Sequence, residues 1–166
     1  MSVSDKQASL FIYGIGNIGR QDDGLGWAFI EALEDSLPPH VETFRNYQLN
    51  IEDAEMISHH AQVLFVDATK SEEVTTYRCR PVQPHASISF TSHYLSMESV
   101  LALCQNIYHK TPATHVIEIR GYAWELQQGL TEQAQQNLQQ AVEFFKQATQ
   151  PGQQFSAFNT ANLLAS

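Results

Sequence analysis

The chain has 166 residues, of which 43% are hydrophobic, and its 18 acidic and 9 basic side chains give a formal net charge of −9. This length and composition predict one domain, residues 1–166, with a single buried core. The negative charge argues against nucleic acid or an anionic membrane surface as a partner. No apolar run approaches the roughly 18 residues of a transmembrane helix, and the polar N-terminus lacks a signal-peptide core, so we expect a cytoplasmic protein.

The segment 10–33, LFIYGIGNIGRQDDGLGWAFIEAL, predicts a buried strand, a glycine-rich turn and an amphipathic helix. Its first four residues form the apolar run of a strand that is covered on both faces of a sheet. In the helical part the apolar residues recur at helical spacing, so one face can pack on that sheet. The turn between them carries two adjacent aspartates, Asp22 and Asp23.

The same turn also contains a glycine pattern that is typical of nucleotide-binding proteins. Gly14, Gly16 and Gly19 spell G-x-G-x-x-G after a strand, which is the fingerprint of a dinucleotide-binding oxidoreductase-type module. That motif needs a helix N-terminus at the third glycine to receive a pyrophosphate, which Asp22 and Asp23 would repel. The two carboxylates suit a cation, or one of them caps the following helix.

The rest of the chain alternates predicted strands and helices. In chain order we expect a strand at 40–45, a short helix through His59 that Asn50 can cap, and a buried strand at 63–66. An edge strand at 74–82, indicated by Pro81, and a surface loop at 83–93 follow. The remaining elements are a helix capped by Ser96, a strand at 114–119, a long helix from Thr131 and a partly ordered tail at 149–166. This order predicts an α/β fold of three layers, in which helices cover both faces of a twisted, mainly parallel five-stranded sheet.

Three side chains are candidates for a metal site at one edge of this sheet. Asp23 follows the first strand, Asp67 ends the buried strand of QVLFVDA, and His93 precedes a helix. Ligands of such sheets collect beyond the carboxyl ends of the strands, where the strand order reverses. A carboxylate at a buried strand end is costly unless it is paired or bound to a cation. One imidazole and two carboxylates suit a divalent transition metal such as nickel, whereas a surface or capping role is the alternative for His93.

Four segments of the chain carry a family resemblance. They are GIGNIGRQDDGLG at 14–26, FVDA at 65–68, SHYLSMESVLAL at 92–103 and IRGYAWELQQGLT at 119–131. In this order and spacing they resemble the hydrogenase maturation proteases, the endopeptidases that trim the C-terminus of the large subunit of nickel–iron hydrogenases. Where many relatives have an aspartate and glycine-rich stretch after the second strand, this chain resembles the branch with a Gln-Leu pair, here Gln48 and Leu49.

The resemblance implies a substrate and a set of site residues. Asp23, Asp67 and His93 match the positions that contact nickel in this family. The implied substrate is the large-subunit precursor, which brings its own nickel and loses a short C-terminal peptide, and we expect a monomer that binds metal weakly by itself. Gly121, Trp124 and Gly129 match a loop near the family's site, although packing at a strand end would also explain the tryptophan.

The sequence leaves the chemistry of cleavage open. It contains neither G-x-S-x-G nor H-E-x-x-H, and neither of its cysteines has the surroundings of a nucleophile. Asp23, Asp67 or a metal-activated water can therefore be considered for peptide hydrolysis of an aspartyl type or a Lewis-acid type. A nickel-binding maturation chaperone that docks on the precursor without cutting it is the non-enzymatic alternative.

Overall fold

A computed structural model of the protein describes residues 9–85 and 95–150. Its strands and helices are β1 (Leu10–Ile15), α1 (Leu25–Leu33), β2 (Val41–Asn46), α2 (Asp53–Ser58), β3 (Gln62–Thr69), β4 (Tyr77–Pro81), α3 (Met97–Tyr108), β5 (Ala113–Arg120) and α4 (Glu132–Ala148). Each predicted strand and helix is present. Most of the predicted loop at 83–93 and nearly all of the predicted tail at 149–166 lie outside the described residues. In the described ranges, no helix has the length and apolar character needed to cross a membrane.

The five strands form one sheet in the order β2-β1-β3-β5-β4. All neighbouring strands are parallel except β4, which pairs antiparallel with β5 at the edge of the sheet. From β1 the chain moves to β2 on one side and then returns to β3 on the other side. The strand order therefore reverses between β1 and β3, and ligands are expected beyond their carboxyl ends.

Two apolar cores lie on opposite faces of the sheet. One face packs against α1 and α4, and the other packs against α2 and α3. Alternate residues of β1 point to the two faces, so Leu10 and Ile12 join the first core, whereas Phe11 and Tyr13 join the second. This arrangement explains the continuous apolar run of the sequence and confirms the predicted three-layer α/β fold.

The glycines of the first turn have a packing role. A Cβ atom on Gly26 would lie 2.4 Å from the carbonyl oxygen of Ile15 and 2.5 Å from that of Val66. Helix α1 can thus lie close to β1 and β3 only with glycine at this position. It begins at Leu25, well after Gly19, so the third glycine of the G-x-G-x-x-G pattern does not open a helix as a dinucleotide site requires.

Of the helix caps that the sequence indicates at Ser96 and Asn50, only the one at Ser96 is present among the described residues, and Thr131, where the long helix is predicted to start, is a cap as well. The hydroxyls of Ser96 and Thr131 accept hydrogen bonds from the third amide of α3 and of α4, at 3.1 and 3.2 Å. The predicted cap at Asn50 is wrong, because α2 has no side-chain cap. Instead, the Asn50 amide donates to the carboxylate of Asp53 at 2.7 Å, and the hydroxyl of buried Tyr13 donates to the same oxygen at 2.7 Å.

Candidate active site at the carboxyl edge of the sheet

A cavity of about 560 Å³ opens at the carboxyl edge of the sheet, where the strand order reverses. Asp23 and Asp67 both line it, so the structure brings together two of the three predicted site residues. His93, the third, lies outside the described residues. Other parts of the wall come from the turn after β1, the segment after β2, strand β4 and the start of α3: Asn17, Arg20, Tyr47, Gln48, Leu49, Arg80 and Glu98.

Asp67 lies within β3, because the strand continues to Thr69 and does not end at the aspartate as predicted. The pairing of β3 with β1 stops at Val66, whereas its pairing with β5 runs on to Thr69. Asp67 is therefore the first residue of β3 that has no neighbour on β1, and this is the side on which the cavity opens.

The charge of Asp67 is poorly stabilised by its surroundings. Burial, with smaller contributions from the negative charges of Asp23 and Glu118, raises the pKa of Asp67 to about 7. The amide of Ala68, which donates to the carboxylate at 2.8 Å, opposes this rise in pKa. The carboxyl therefore holds a proton much more readily than the carboxyl of an exposed aspartate.

Asp23 belongs to a short 3-10 turn, Gln21–Gly24, between β1 and α1. Both its carboxylate and its carbonyl oxygen accept the amide of Asn17, each at 3.1 Å. The chain can pass this close only because Gly16 has a φ of +148° and no Cβ, which would lie 1.9 Å from the Asp23 carbonyl oxygen. Burial raises the pKa of Asp23, while the Asn17 amide, Arg20 and Lys70 lower it.

Asp22 has a different environment from its neighbour. Its side chain is fully buried and accepts hydrogen bonds from the amides of Tyr122, Ala123 and Thr131, at 2.7, 3.1 and 2.8 Å. The Thr131 hydroxyl donates to it as well, at 2.8 Å. Neither aspartate caps α1, whose first position follows Gly24 without a side-chain cap. Asp22 therefore fixes the segment that leads into α4. The alternative prediction that one of the two aspartates caps the helix after the turn is wrong.

The loop between β5 and α4, residues 121–131, packs on the turn rather than lining the cavity. The Gln21 amide donates to the carbonyl of Gln127 at 2.8 Å, and Arg20 forms an isolated parallel bridge with Gln127. A Cβ on Gly121 would lie 2.7 Å from the Cβ of Asp22. The loop that resembles the family's site loop thus contacts the turn that carries Asp23.

Two charged residues of the cavity wall, Arg80 and Glu98, belong to a group of ion pairs that sequence reasoning missed. The guanidinium of Arg80 donates to Glu118 at 2.9 Å and lies 3.5 Å from Glu98, while Arg78 also pairs with Glu118 at 3.1 Å. The only sequence signal was the alternation of arginines on the edge strand, which places Arg78 and Arg80 on one face. Because its charge is shared between two carboxylates, Arg80 closes the wall without neutralising Asp67.

Comparison with solved structures identifies the fold. The hydrogenase maturating endopeptidase HybD from E. coli has a TM-score of 0.70 at 20% identity, over 84% of this chain and 91% of that chain. The NiFe hydrogenase maturation protease HycI from Thermococcus kodakarensis KOD1 has a TM-score of 0.69 at 19% identity, over 88% of this chain and 97% of that chain. The chain has the fold of the hydrogenase maturation proteases. The hydrogenase 2 maturation peptidase from Thaumarchaeota archaeon SCGC_AB-539-E09 agrees, with a TM-score of 0.64 at 19% identity over 88% and 99%. No protein-family model and no curated protein matches the sequence.

Within this maturation protease fold, the cavity offers oxygen ligands and no activated thiol. Cys79 and Cys104 are buried and unpaired, and burial raises the pKa of Cys79 to about 12, so its thiolate is not available at neutral pH. Among the described residues, no three His, Cys, Asp or Glu side chains are grouped so that they could hold a metal ion. The Asp23–Asp67 pair fits a divalent cation only if further ligands come from outside the described residues or from the bound partner.

Proposed function

We propose that this chain is an endopeptidase of hydrogenase maturation, which removes a C-terminal peptide from the nickel-loaded precursor of a nickel–iron hydrogenase large subunit. The observation that carries the proposal is the placement of Asp23 and Asp67 in one cavity where the strand order reverses. The fold shared with the maturation endopeptidase HybD and the maturation protease HycI supports it. We further propose that the protein acts as a monomer in the cytoplasm.

Nickel in this proposal belongs to the substrate. Asp23, Asp67 and His93 would contact the metal while the precursor keeps its own ligands on it, so neither protein needs to supply a complete set. The two carboxylates repel each other when both are ionised, and a bound cation would remove that repulsion. The pair is therefore better suited to receiving a metal already held by a partner than to storing one.

The same pair can take part in hydrolysis. In the proposed step a water oxygen attacks the scissile carbonyl carbon, a carboxylate of the pair accepts the proton of that water, and the proton then passes to the leaving amine as the peptide bond breaks. Burial of the two carboxyl groups favours such transfer, because it raises the pKa of each above that of an exposed aspartate.

The experiment mixes the purified protein with a precursor large subunit from the same genome, with and without nickel, and measures the mass of the large subunit. We expect loss of a C-terminal peptide only from the nickel-loaded precursor, and no loss with Asp67→Ala or His93→Ala. Glu143→Gln, which changes an exposed carboxylate on α4, is the matched control and should process normally.

The outcomes separate the competing functions. Normal processing by Asp67→Ala would contradict the proposed site, and complex formation without any change in mass would favour a nickel-binding chaperone. Micromolar binding of NAD or NADP that survives Asp23→Asn would favour the dinucleotide module of the Gly14, Gly16 and Gly19 turn.

A further inference from the structure

Exposed apolar side chains are concentrated at the edge of the sheet that carries the cavity. In the described ranges, seven large hydrophobic side chains are exposed. Five of them follow the carboxyl ends of β1, β2 and β5: Ile18, Tyr47, Ile51, Tyr122 and Leu126. The remaining two, Ile107 and Tyr108, end α3 and precede β5, so they lie toward the opposite edge.

Four of these residues form what we call the apolar rim, namely Ile18, Tyr47, Ile51 and Leu126. Their exposed fractions are 48%, 61%, 65% and 78%. Tyr122 is left out because its hydroxyl accepts a hydrogen bond from Asn137 at 2.9 Å and its ring is less exposed. Single exposed apolar residues are common on protein surfaces, but their concentration beside a cavity is typical of a binding surface.

The apolar rim is connected to the cavity wall at two places. On one side Tyr47 itself lines the cavity, and its ring stacks on Trp27 with the ring centroids 5.3 Å apart. On the other side Leu126 precedes Gln127, which bridges to Arg20 in the cavity wall. A molecule that reaches Asp23 and Asp67 therefore enters a cavity that has Tyr47 of the rim in its wall.

The loops that carry the rim contain few charges. In the segments 17–21, 47–51 and 122–130 the only charged residues are Arg20 and Glu125. The charged share of these segments, 2 of 19 residues, lies somewhat below the 16% of the whole chain. Depletion of charged residues around exposed aromatic and aliphatic side chains is the composition found at the centre of protein interfaces.

We propose that the apolar rim is a docking surface for the folded body of the substrate protein, separate from the contacts that Asp23 and Asp67 make at the reaction centre. This inference rests on the proposed function, because it takes the precursor as the partner. The rim residues come from three separate loops, and Tyr47 is the one of the four that lines the cavity, so a single extended peptide in the cavity would leave most of them in water. A folded surface that surrounds the emerging C-terminal segment would cover all four and add binding free energy away from the metal.

The test measures the Kd of the nickel-loaded precursor for rim variants and for a control. We expect the double variants Tyr47→Ser with Ile51→Ser, and Ile18→Ser with Leu126→Ser, each to weaken binding by about tenfold or more. Ile107→Ser removes a side chain of 53% exposure at the opposite edge and should leave the Kd unchanged. These side chains are largely exposed, so only small changes in melting temperature are expected even where Tyr47→Ser removes the stacking on Trp27, and cooperative unfolding of each variant would exclude misfolding as the cause.

The possible results distinguish this inference from the proposed function. Binding that rim variants weaken, without cleavage by the parent chain, would support the docking surface and overturn the protease. Equal Kd values for the parent and both double variants would overturn the docking surface, whether or not the precursor is cut. Self-association of the parent chain in sedimentation experiments, abolished by the rim variants, would assign the rim to a second copy and overturn the inference. Failure of the parent to bind the precursor at all would overturn both proposals.

Discussion

Asp22 and Asp23 are neighbours in one turn, yet they belong to two different regions of the molecule. The carboxylate of Asp22 is completely buried and accepts four hydrogen bonds from the loop and helix start at 122–131. The carboxylate of Asp23 faces the cavity and accepts one backbone hydrogen bond, from Asn17. The two environments show how hydrogen-bond donors divide adjacent acids into one that holds the fold together and one that remains available to a ligand.

We expect the largest change in the free energy of unfolding when the buried carboxylate, that of Asp22, is removed. Asp22→Ala would leave three backbone amides and the Thr131 hydroxyl without their acceptor, so we expect the free energy of unfolding to fall by about 3–5 kcal/mol. Urea denaturation followed by circular dichroism measures this change. Asp22→Asn keeps one oxygen acceptor and should cost less, and a loss below about 1 kcal/mol for the alanine variant would contradict the structural role.

A second variant disturbs Asp23 through the backbone. Gly16→Ala places a Cβ against the carbonyl of Asp23, at a φ of +148° that alanine rarely adopts. We expect a loss of about 2–3 kcal/mol in the free energy of unfolding, together with impaired processing, because the turn must move to relieve the contact. Gly129→Ala is a suitable control, since its positive φ of 106° is strained in the same way but no atom lies within 4 Å of the added Cβ. Equal losses for the two variants would show that the contact with Asp23 contributes nothing.

The smallest change in the free energy of unfolding is expected for Asp67 in the cavity, where substitution should stabilise the protein rather than destabilise it. The carboxyl of Asp67 has a pKa of about 7 in the folded chain, against about 3.9 when unfolded. Between these values the folded chain holds a proton that the unfolded chain has released, so this residue lowers stability as the pH rises from about 4 to about 7. Asp67→Asn should therefore raise the free energy of unfolding by about 1–2 kcal/mol at pH 8, allowing for solvent screening, and hardly change it at pH 4.

Melting temperatures of the parent and the Asp67→Asn variant across this pH range measure the effect. The asparagine can keep the hydrogen bond that the Ala68 amide donates to the side chain, so the comparison isolates the charge. A variant that is less stable than the parent at pH 8 would show that Asp67 is held by the fold in the way that Asp22 is.

Much of the fold could be predicted from the sequence because its elements are marked by local patterns. The apolar run before Gly14 predicted β1, the helical spacing from Leu25 predicted α1, Ser96 was correctly predicted as a cap, and the long helix was correctly predicted to start at about Thr131. Pro81 correctly indicated an edge strand, since proline cannot donate to a neighbouring strand. These signals depend on residues close together in the chain, and so they can be recognised without the tertiary structure.

The different environments of Asp22 and Asp23 could not be predicted from such local patterns. The donors to Asp22 lie 100 or more positions further along the chain, and no local pattern distinguishes its carboxylate from that of Asp23. Arg80 and Glu98 likewise reach the cavity through the pairing of β4 with β5 and the start of α3. The order of strands predicted that Asp23 and Asp67 would share an edge, whereas their functional roles and that of His93 remain predictions.

The buried bonds of Asp22 also bear on the order in which the protein is assembled. A growing chain that ends before residue 122 has Asp22 and Asp23 in place but none of the four donors that hold the turn. The contacts that complete the turn join residues far apart in sequence, and such contacts are slow to form because a long segment must first be ordered. The turn that carries Asp23 is therefore completed only after residues 122–131 have been synthesised, so the last part of the domain to leave the ribosome fixes a turn near its beginning.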